Sequence, residues 1–219
     1  MAATLGGGWD ALLGRGLRWT ITASSDSHGH WTDGGADFWP GEYSKTWVHA
    51  EPTPAGILEG LRMGRVFVAT GGLVDRLDVS VAPTPEPAAS PVAIGDVASA
   101  TPGAELTVTV RFRPSSEPNA GGEVPVVNHV DLIAGETRGA TGDRNPTTHV
   151  VRRFTAADWR QEGDMIVMEH RMAMPQQGTY LRVRGTSTGE AEPLPDTPGE
   201  DPWRDLWFYS NALSFQPSS

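Results

Sequence analysis

The chain has 219 residues, no cysteine and a formal net charge of -10 from 27 acidic and 17 basic residues. Without cysteine there are no disulfides or thiolate metal ligands, so a metal would be bound by His, Asp or Glu. The acidic balance disfavours a nucleic-acid partner, and no apolar run approaches the roughly 20 residues of a membrane helix, so we expect a soluble protein. Residues 1–8 lack the basic and apolar regions of a secretory signal.

The first predicted elements are a helix followed directly by a strand. The spacing of apolar residues and a glycine stop predict a short helix over residues 9–17. Residues 18–23 (RWTITA) are rich in β-formers and predict a strand, which ends in the polar run 24–30. A chemical site at the end of this strand is therefore expected.

A long loop and a second helix–strand pair come next. Residues 31–46 contain glycine and proline among acids and aromatics, which predicts a loop. Pro54 suits the first turn of a helix that Gly64 would end, with an apolar stripe between them. Residues 65–70 (RVFVAT) then predict another strand.

The pattern changes after Gly72, where short alternating runs are separated by Pro and Gly clusters. Such runs with turn signals between them are typical of an antiparallel sandwich or barrel. Strands are predicted near residues 74–81, 106–112, 126–134, 149–154, 165–174, 180–184 and 212–215. We therefore predict an α/β segment over residues 1–72, followed by an all-β antiparallel sandwich domain over residues 73–219.

The polar run holds the residues best suited to metal chemistry. Carboxylate and imidazole groups are good ligands for Zn, Mn or Fe, and alternate residues of an extended segment project to one side. Asp26, His28 and His30 are spaced in this way. A D-x-H pattern alone is weak, because it also occurs in ordinary polar turns.

The context of this pattern resembles the end of the catalytic barrel in PHP-superfamily metal-dependent hydrolases, particularly the CehA/McbA-type metallohydrolases. The S-D-x-H motif of that group corresponds to residues 25–28, and its I-L-x-x-L-x-x-G-R segment to residues 57–65. Two looser matches are K-T-W-V at residues 45–48 and Y-S-N at residues 209–211. The strong part of the resemblance covers about residues 9–72.

The resemblance implies a β/α barrel segment in which Asp26 and His28 are catalytic and bind a divalent transition metal: Zn, Mn or Fe. The implied reaction is hydrolysis of a small-molecule phosphoester or related ester by metal-activated water. The group's remaining ligands belong to strands that would precede Trp9. The chain is therefore expected to lack the N-terminal part of the barrel, to pair with a separate N-terminal segment, or to self-associate through its unpaired strand.

Several assignments have alternatives. Lys45, the only lysine, is a candidate for binding a substrate anion or a solvated surface residue. His30 is a candidate substrate-binding residue, a solvated loop histidine, or a third local ligand with Asp33, Asp37 or Glu42 as a fourth ligand or base. The alternative to a hydrolase is a non-catalytic β-sandwich module that binds a partner chain or carbohydrate and carries a remnant of a catalytic domain.

Overall fold

The computed structural model of the chain describes residues 3–35, 37–84, 91–195 and 201–218. Within these ranges most of the regular structure is β-strand, arranged as two sheets with a shared core. The helices are α1 (Gly8–Leu13) and α2 (Pro54–Met63). The strands are β1 (Lys45–Val48), β2 (Val66–Ala69), β3 (Val74–Pro83), β4 (Val92–Ala93), β5 (Val97–Ala100), β6 (Glu105–Pro114), β7 (His129–Glu136), β8 (His149–Thr155), β9 (Arg160–Glu162), β10 (Met165–Ala173), β11 (Thr179–Thr186), β12 (Trp207–Ser210) and β13 (Leu213–Pro217).

The larger sheet has eight strands organised around β11. One edge of β11 pairs with β7, which pairs in turn with β8. The other edge is shared, because β12 pairs with residues 184–186 and β13 with residues 179–181. The sheet continues from β12 to β2 and β1, and from β13 to β5 in its one parallel pairing among the described strands.

The smaller sheet has five antiparallel strands in the order β4-β3-β6-β10-β9. Apolar residues alternate along β3 and β6, so one face of each strand is buried. These side chains share one core cluster with the inward side chains of the larger sheet, including Val79, Val110, Leu132, Val183 and Phe208. The molecule is therefore a β-sandwich, as the alternating pattern predicts.

Helix α1 is attached to the outer face of the larger sheet by a buried ion pair. Leu181 and Val183 belong to the core, so Arg182 points to the opposite face of β11. Its guanidinium donates to both carboxylate oxygens of Asp10, at 2.8 and 2.7 Å, and both side chains are buried. The Arg182 guanidinium also lies 5.1 Å from the centre of the Trp9 ring. Since charges so deeply buried need a partner, helix and sheet are held together.

The predicted helix beginning at Pro54 is confirmed. Thr53 caps its first turn by accepting a hydrogen bond from the Gly56 amide (3.0 Å), and Gly64 ends it with a φ of 70°. The first helix is shorter than predicted, since α1 ends at Leu13. Each of the seven predicted runs of the sandwich contains a strand at nearly the expected place.

The strand predicted at residues 18–23 is wrong. This segment is extended but is not part of either sheet. Its far end is attached to β1 by a side chain, since the Thr46 hydroxyl accepts from the Ala23 amide and donates to the Ala23 carbonyl, both at 2.8 Å. A strand needs a neighbouring main chain in register, and the described part of the protein provides none here.

The larger sheet contains residues from both sides of the predicted division between residues 72 and 73. Strand β2 pairs with β12 in antiparallel register, with Val68 opposite Tyr209. Strand β2 also contributes Phe67 and Ala69 to the core shared by the two sheets. Strand β2, which lies before the predicted division, is therefore part of the sandwich.

Candidate functional site

The candidate metal ligands lie on an extended segment that follows α1. From residue 21 to residue 28, exposed and partly buried residues alternate strictly. The exposed members are Thr22, Ser24, Asp26 and His28. Asp26 and His28 are therefore both exposed to solvent. Asp26 has a φ of 46°, the one described non-glycine residue with a positive φ.

Asp37 organises the loop around His28. Its carboxylate accepts hydrogen bonds from the backbone amides of His28 and Gly29, the latter at 2.9 Å. These hydrogen bonds, led by that from Gly29, lower the pKa of the Asp37 carboxyl, so it is ionised at neutral pH. Its Oδ2 also lies 3.6 Å from Nδ1 of His28, whose side chain is 81% exposed. The carboxylate therefore faces one ring nitrogen and leaves Nε2 open to solvent.

His30 is packed within the loop and separated from Asp26 and His28 by its contacts. Its Nε2 lies 2.8 Å from Oε2 of Glu42, and its Nδ1 contacts the Thr32 hydroxyl. The Trp39 ring stacks on the imidazole at 5.2 Å, and the His30 side chain is only 10% exposed. Both nitrogens are therefore engaged, which the sequence pattern did not indicate.

Lys45 begins β1 and is half-buried. Among the described residues its ammonium forms no hydrogen bond or ion pair. Its neighbour Thr46 faces Ala23, and successive residues of a strand point to opposite faces, so Lys45 points away from that contact. The structure thus leaves Asp26 and His28 exposed to solvent, whereas His30 contacts Glu42 and Thr32 and Lys45 points away from the contact of Thr46 with Ala23.

The aromatic residues of the loop pack mainly with one another. Trp31 and Phe38 contact Tyr43 or Trp203, with ring centres 4.6 to 6.0 Å apart. Trp47 stacks on Phe67 at 5.8 Å. These ring contacts anchor the loop to the sandwich.

In the described part of the chain, no three His, Asp or Glu side chains are grouped so that they could hold a metal ion. Asp26 and His28 offer two ligand atoms, and catalytic zinc normally has three protein ligands. His30 and Glu42 satisfy each other, and Asp37 is committed to backbone amides. A local three-ligand site including His30 is therefore absent from these described residues.

A groove of about 460 Å³ lies between residues 19–23 and the outer face of the larger sheet. Trp9, Trp19, Val68, Trp207 and Tyr209 contribute to its wall, and none of its lining residues is charged. Asp26 and His28 do not line it. The sequence gives no signal for this groove, because its walls come from distant elements and α1 must be in place to form it.

The Y-S-N segment at the end of β12 has structural partners. Ser210 accepts a hydrogen bond from the Val183 amide at 2.8 Å, within the larger sheet. Asn211 donates to the Gly64 carbonyl at 2.8 Å and to the Thr20 hydroxyl at 3.4 Å. Asn211 thus connects the end of α2 to the extended segment that carries Asp26 and His28.

The fold and this loop define a β-sandwich protein that presents an aspartate and a histidine on an exposed extended segment. No protein-family model, curated protein or solved structure matches the chain.

Proposed function

We propose that this chain is the C-terminal part of a PHP-type metal-dependent hydrolase that acts on small-molecule phosphoesters or related esters. The observation that carries the proposal is that Asp26 and His28, two positions apart, are both exposed on a segment that belongs to neither sheet. A carboxylate and an imidazole in this relation suit a divalent transition metal, Zn, Mn or Fe. Such an ion, when bound, activates water and polarises the phosphoryl oxygen.

The surroundings of His28 support its role as a ligand. Metal-binding histidines usually direct their second ring nitrogen at a carboxylate, which fixes the ring and raises its basicity. Asp37 occupies that position, with Oδ2 3.6 Å from Nδ1 of His28. Asp26 has no hydrogen bond or ion pair with another described residue, so its carboxylate is available to a cation.

The remaining ligands are proposed to come from outside the described residues, in an N-terminal segment of the same or a separate polypeptide. Two ligands leave the coordination sphere open, and the exposed side of the 21–28 segment faces solvent. Lys45 remains the proposed contact for the substrate anion, because no described carboxylate neutralises it. His30 would reach a substrate only after release from Glu42, so its proposed contribution requires movement of the loop.

The test is Mn- or Zn-dependent hydrolysis of a chromogenic phosphodiester, with the chain expressed together with its upstream coding region. We expect Asp26→Ala and His28→Ala to abolish activity and to remove the metal detected by elemental analysis. Asp37→Asn should lower metal affinity or activity by about 10–100-fold, because it only orients a ligand.

Asp33→Ala is the matched control, since this loop carboxylate is 76% exposed and forms only a 3.7 Å contact with His30. Its activity should stay near that of the wild type. Full activity in Asp26→Ala would remove the hydrolase proposal.

A non-catalytic sandwich module that binds a partner chain or carbohydrate is the second candidate. It is favoured by the lack of a three-ligand group among the described residues. Elemental analysis separates the two candidates, since a module would purify without stoichiometric transition metal even when the upstream region is present.

A further inference from the structure

The main chain of residues 20–22 has no partner within the described protein. Just before this segment, the Trp19 carbonyl accepts a hydrogen bond from the Trp9 indole at 2.9 Å. Just after it, the Ala23 amide donates to the Thr46 hydroxyl. Between these points, neither the amides nor the carbonyls of residues 20–22 form a hydrogen bond with a described residue. Thr22 is exposed, and Thr20 and Ile21 are partly exposed. An extended segment with consecutive free amides and carbonyls is a template for another strand.

Apolar surface is exposed along the same segment. Trp19 is 57% exposed and Leu17 46% exposed, and Ile21 lines the uncharged groove of about 460 Å³. The one charged residue of the segment, Arg18, is used within its own chain, where it donates to the Gly95 carbonyl at 2.7 Å. The surface thus offers unpaired main-chain groups beside apolar side chains and no free charge.

We propose that residues 19–22 pair in antiparallel fashion with the same residues of a second copy of this chain. These four residues carry no charge, and the main-chain groups of residues 20–22 have no hydrogen-bond partner among the described residues of their own chain, so the segment of one copy suits that of the other. In a two-fold arrangement one edge of the segment pairs with the same edge in the other copy, which closes the assembly at a dimer. Trp19 and Leu17 of each copy would be covered by the other copy.

Charge gives the association a distinctive dependence on salt. Each copy carries a formal net charge of -10, and the proposed contact has no compensating charge. Salt screens the repulsion between the copies and strengthens apolar burial, so the dimer should tighten as the salt concentration rises. A contact made by ion pairs would weaken as the salt concentration rises. This inference stands without the metal-site proposal, because it concerns the chain alone and needs no metal.

The experiment is sedimentation equilibrium of the full chain over a range of protein concentrations at low and high salt. We expect a reversible dimer that is tighter at high salt. Thr22→Pro removes an amide that has no partner among the described residues of its own chain, and it should raise the dimer dissociation constant at least about tenfold. Val124→Pro is the control, because Val124 is an exposed apolar residue outside the strands whose amide is also unpaired among described residues, and it should not change the constant.

Amide hydrogen exchange gives a second measurement on the unmodified chain. The amides of Thr20 and Thr22 should become protected as the protein concentration rises, whereas the Val124 amide should not. A monomer at all concentrations, or concentration-independent exchange at Thr20 and Thr22, would overturn the proposal and leave this edge to a strand of a different polypeptide.

Discussion

The buried ion pair of Asp10 with Arg182 holds the N-terminal helix to the sandwich. The Asp10 carboxylate receives two hydrogen bonds from Arg182, one from the Tyr180 hydroxyl (3.1 Å) and one from the Gly6 amide (2.8 Å). We expect Asp10→Ala to lower the free energy of unfolding by about 3–5 kcal/mol, because it leaves a buried guanidinium without its partner. Urea denaturation followed by circular dichroism measures this loss.

Asp164→Ala provides the comparison for that measurement. Asp164 also pairs with an arginine, Arg113, at 3.2 Å, but its side chain is 67% exposed. An exposed pair contributes little to stability, because water and salt screen it, so Asp164→Ala should cost much less than Asp10→Ala. Equal losses in the two variants would show that burial does not determine the contribution of the Asp10 pair.

His129 should make stability depend on pH. Burial, followed by the positive charge of Arg153, lowers the pKa of His129 in the folded state. The unfolded chain therefore takes up the proton first, and stability is lost as pH falls below about 6.5, the ordinary histidine pKa. The free energy of unfolding should decrease from pH 7 to pH 5 more in the wild type than in His129→Asn. An equal decrease in both proteins would contradict this assignment.

At the scale of single residues, the sequence predicts the local setting of a side chain but not its contacts with residues far away in the chain. The exposure of Asp26 and His28 is expected from the polar run in which they lie. The contact of Asp10 with Arg182 joins residues 172 positions apart, and no local pattern encodes it. His30 shows the same limit, since its burial depends on where the loop brings Glu42 and Trp39.

At the scale of the elements, the conformation of Gly64 at the end of α2 leaves room for Asn211, which bonds the segment that leads to Asp26 and His28. Gly64 has a φ of 70°, and a Cβ there would lie 2.5 Å from the amide nitrogen of the Asn211 side chain. Gly64→Ala combines a strained backbone with displacement of the side chain that bonds Thr20. We expect it to lower the free energy of unfolding by more than the roughly 1–3 kcal/mol of strain alone.

Gly103→Ala separates the two contributions. Gly103 has a φ of 80°, and no atom lies within 4 Å of the position that an added Cβ would take, so only backbone strain applies there. Thermal unfolding of both variants makes the comparison. An equal loss of stability would mean that displacing the Asn211 side chain does not lower the free energy of unfolding.

Element prediction succeeds where a strand is long and alternating. Strands β3 and β6 have one face buried along their length, which gives a clear period of two. The short strands β4, β9 and β12 contain two to four residues and are recognisable only from their partners. Residues 18–23 show the reverse error, because β-forming residues without a neighbouring chain stay extended and unpaired.

For the molecule as a whole, the pairing of β2 with β12 makes residues on both sides of the predicted division part of one sheet. We expect a single cooperative unfolding transition, with equal calorimetric and van't Hoff enthalpies. Residues 73–219 expressed alone should be markedly less stable, since β12 would lose its neighbour and the core would lose Phe67 and Ala69. Two separate transitions in calorimetry would contradict this expectation.

The sequence predicts the general architecture, a sandwich, but it does not predict which strands pair with one another. Turn signals and alternation predict a sandwich. Among the described residues no helix is long and apolar enough to cross a membrane. The shared edge of β11, divided between β12 and β13, depends on strands distant in sequence.

The pairing of β2 with β12 has a consequence for biosynthesis. Strand β2 leaves the ribosome long before its neighbour, as the register of Ala69 opposite Phe208 shows. The pair of strands β1 and β2 must therefore wait without this neighbour until β12 has been synthesised. During that interval one edge of β2 is unpaired, and an unpaired edge can bond to strands of other nascent chains.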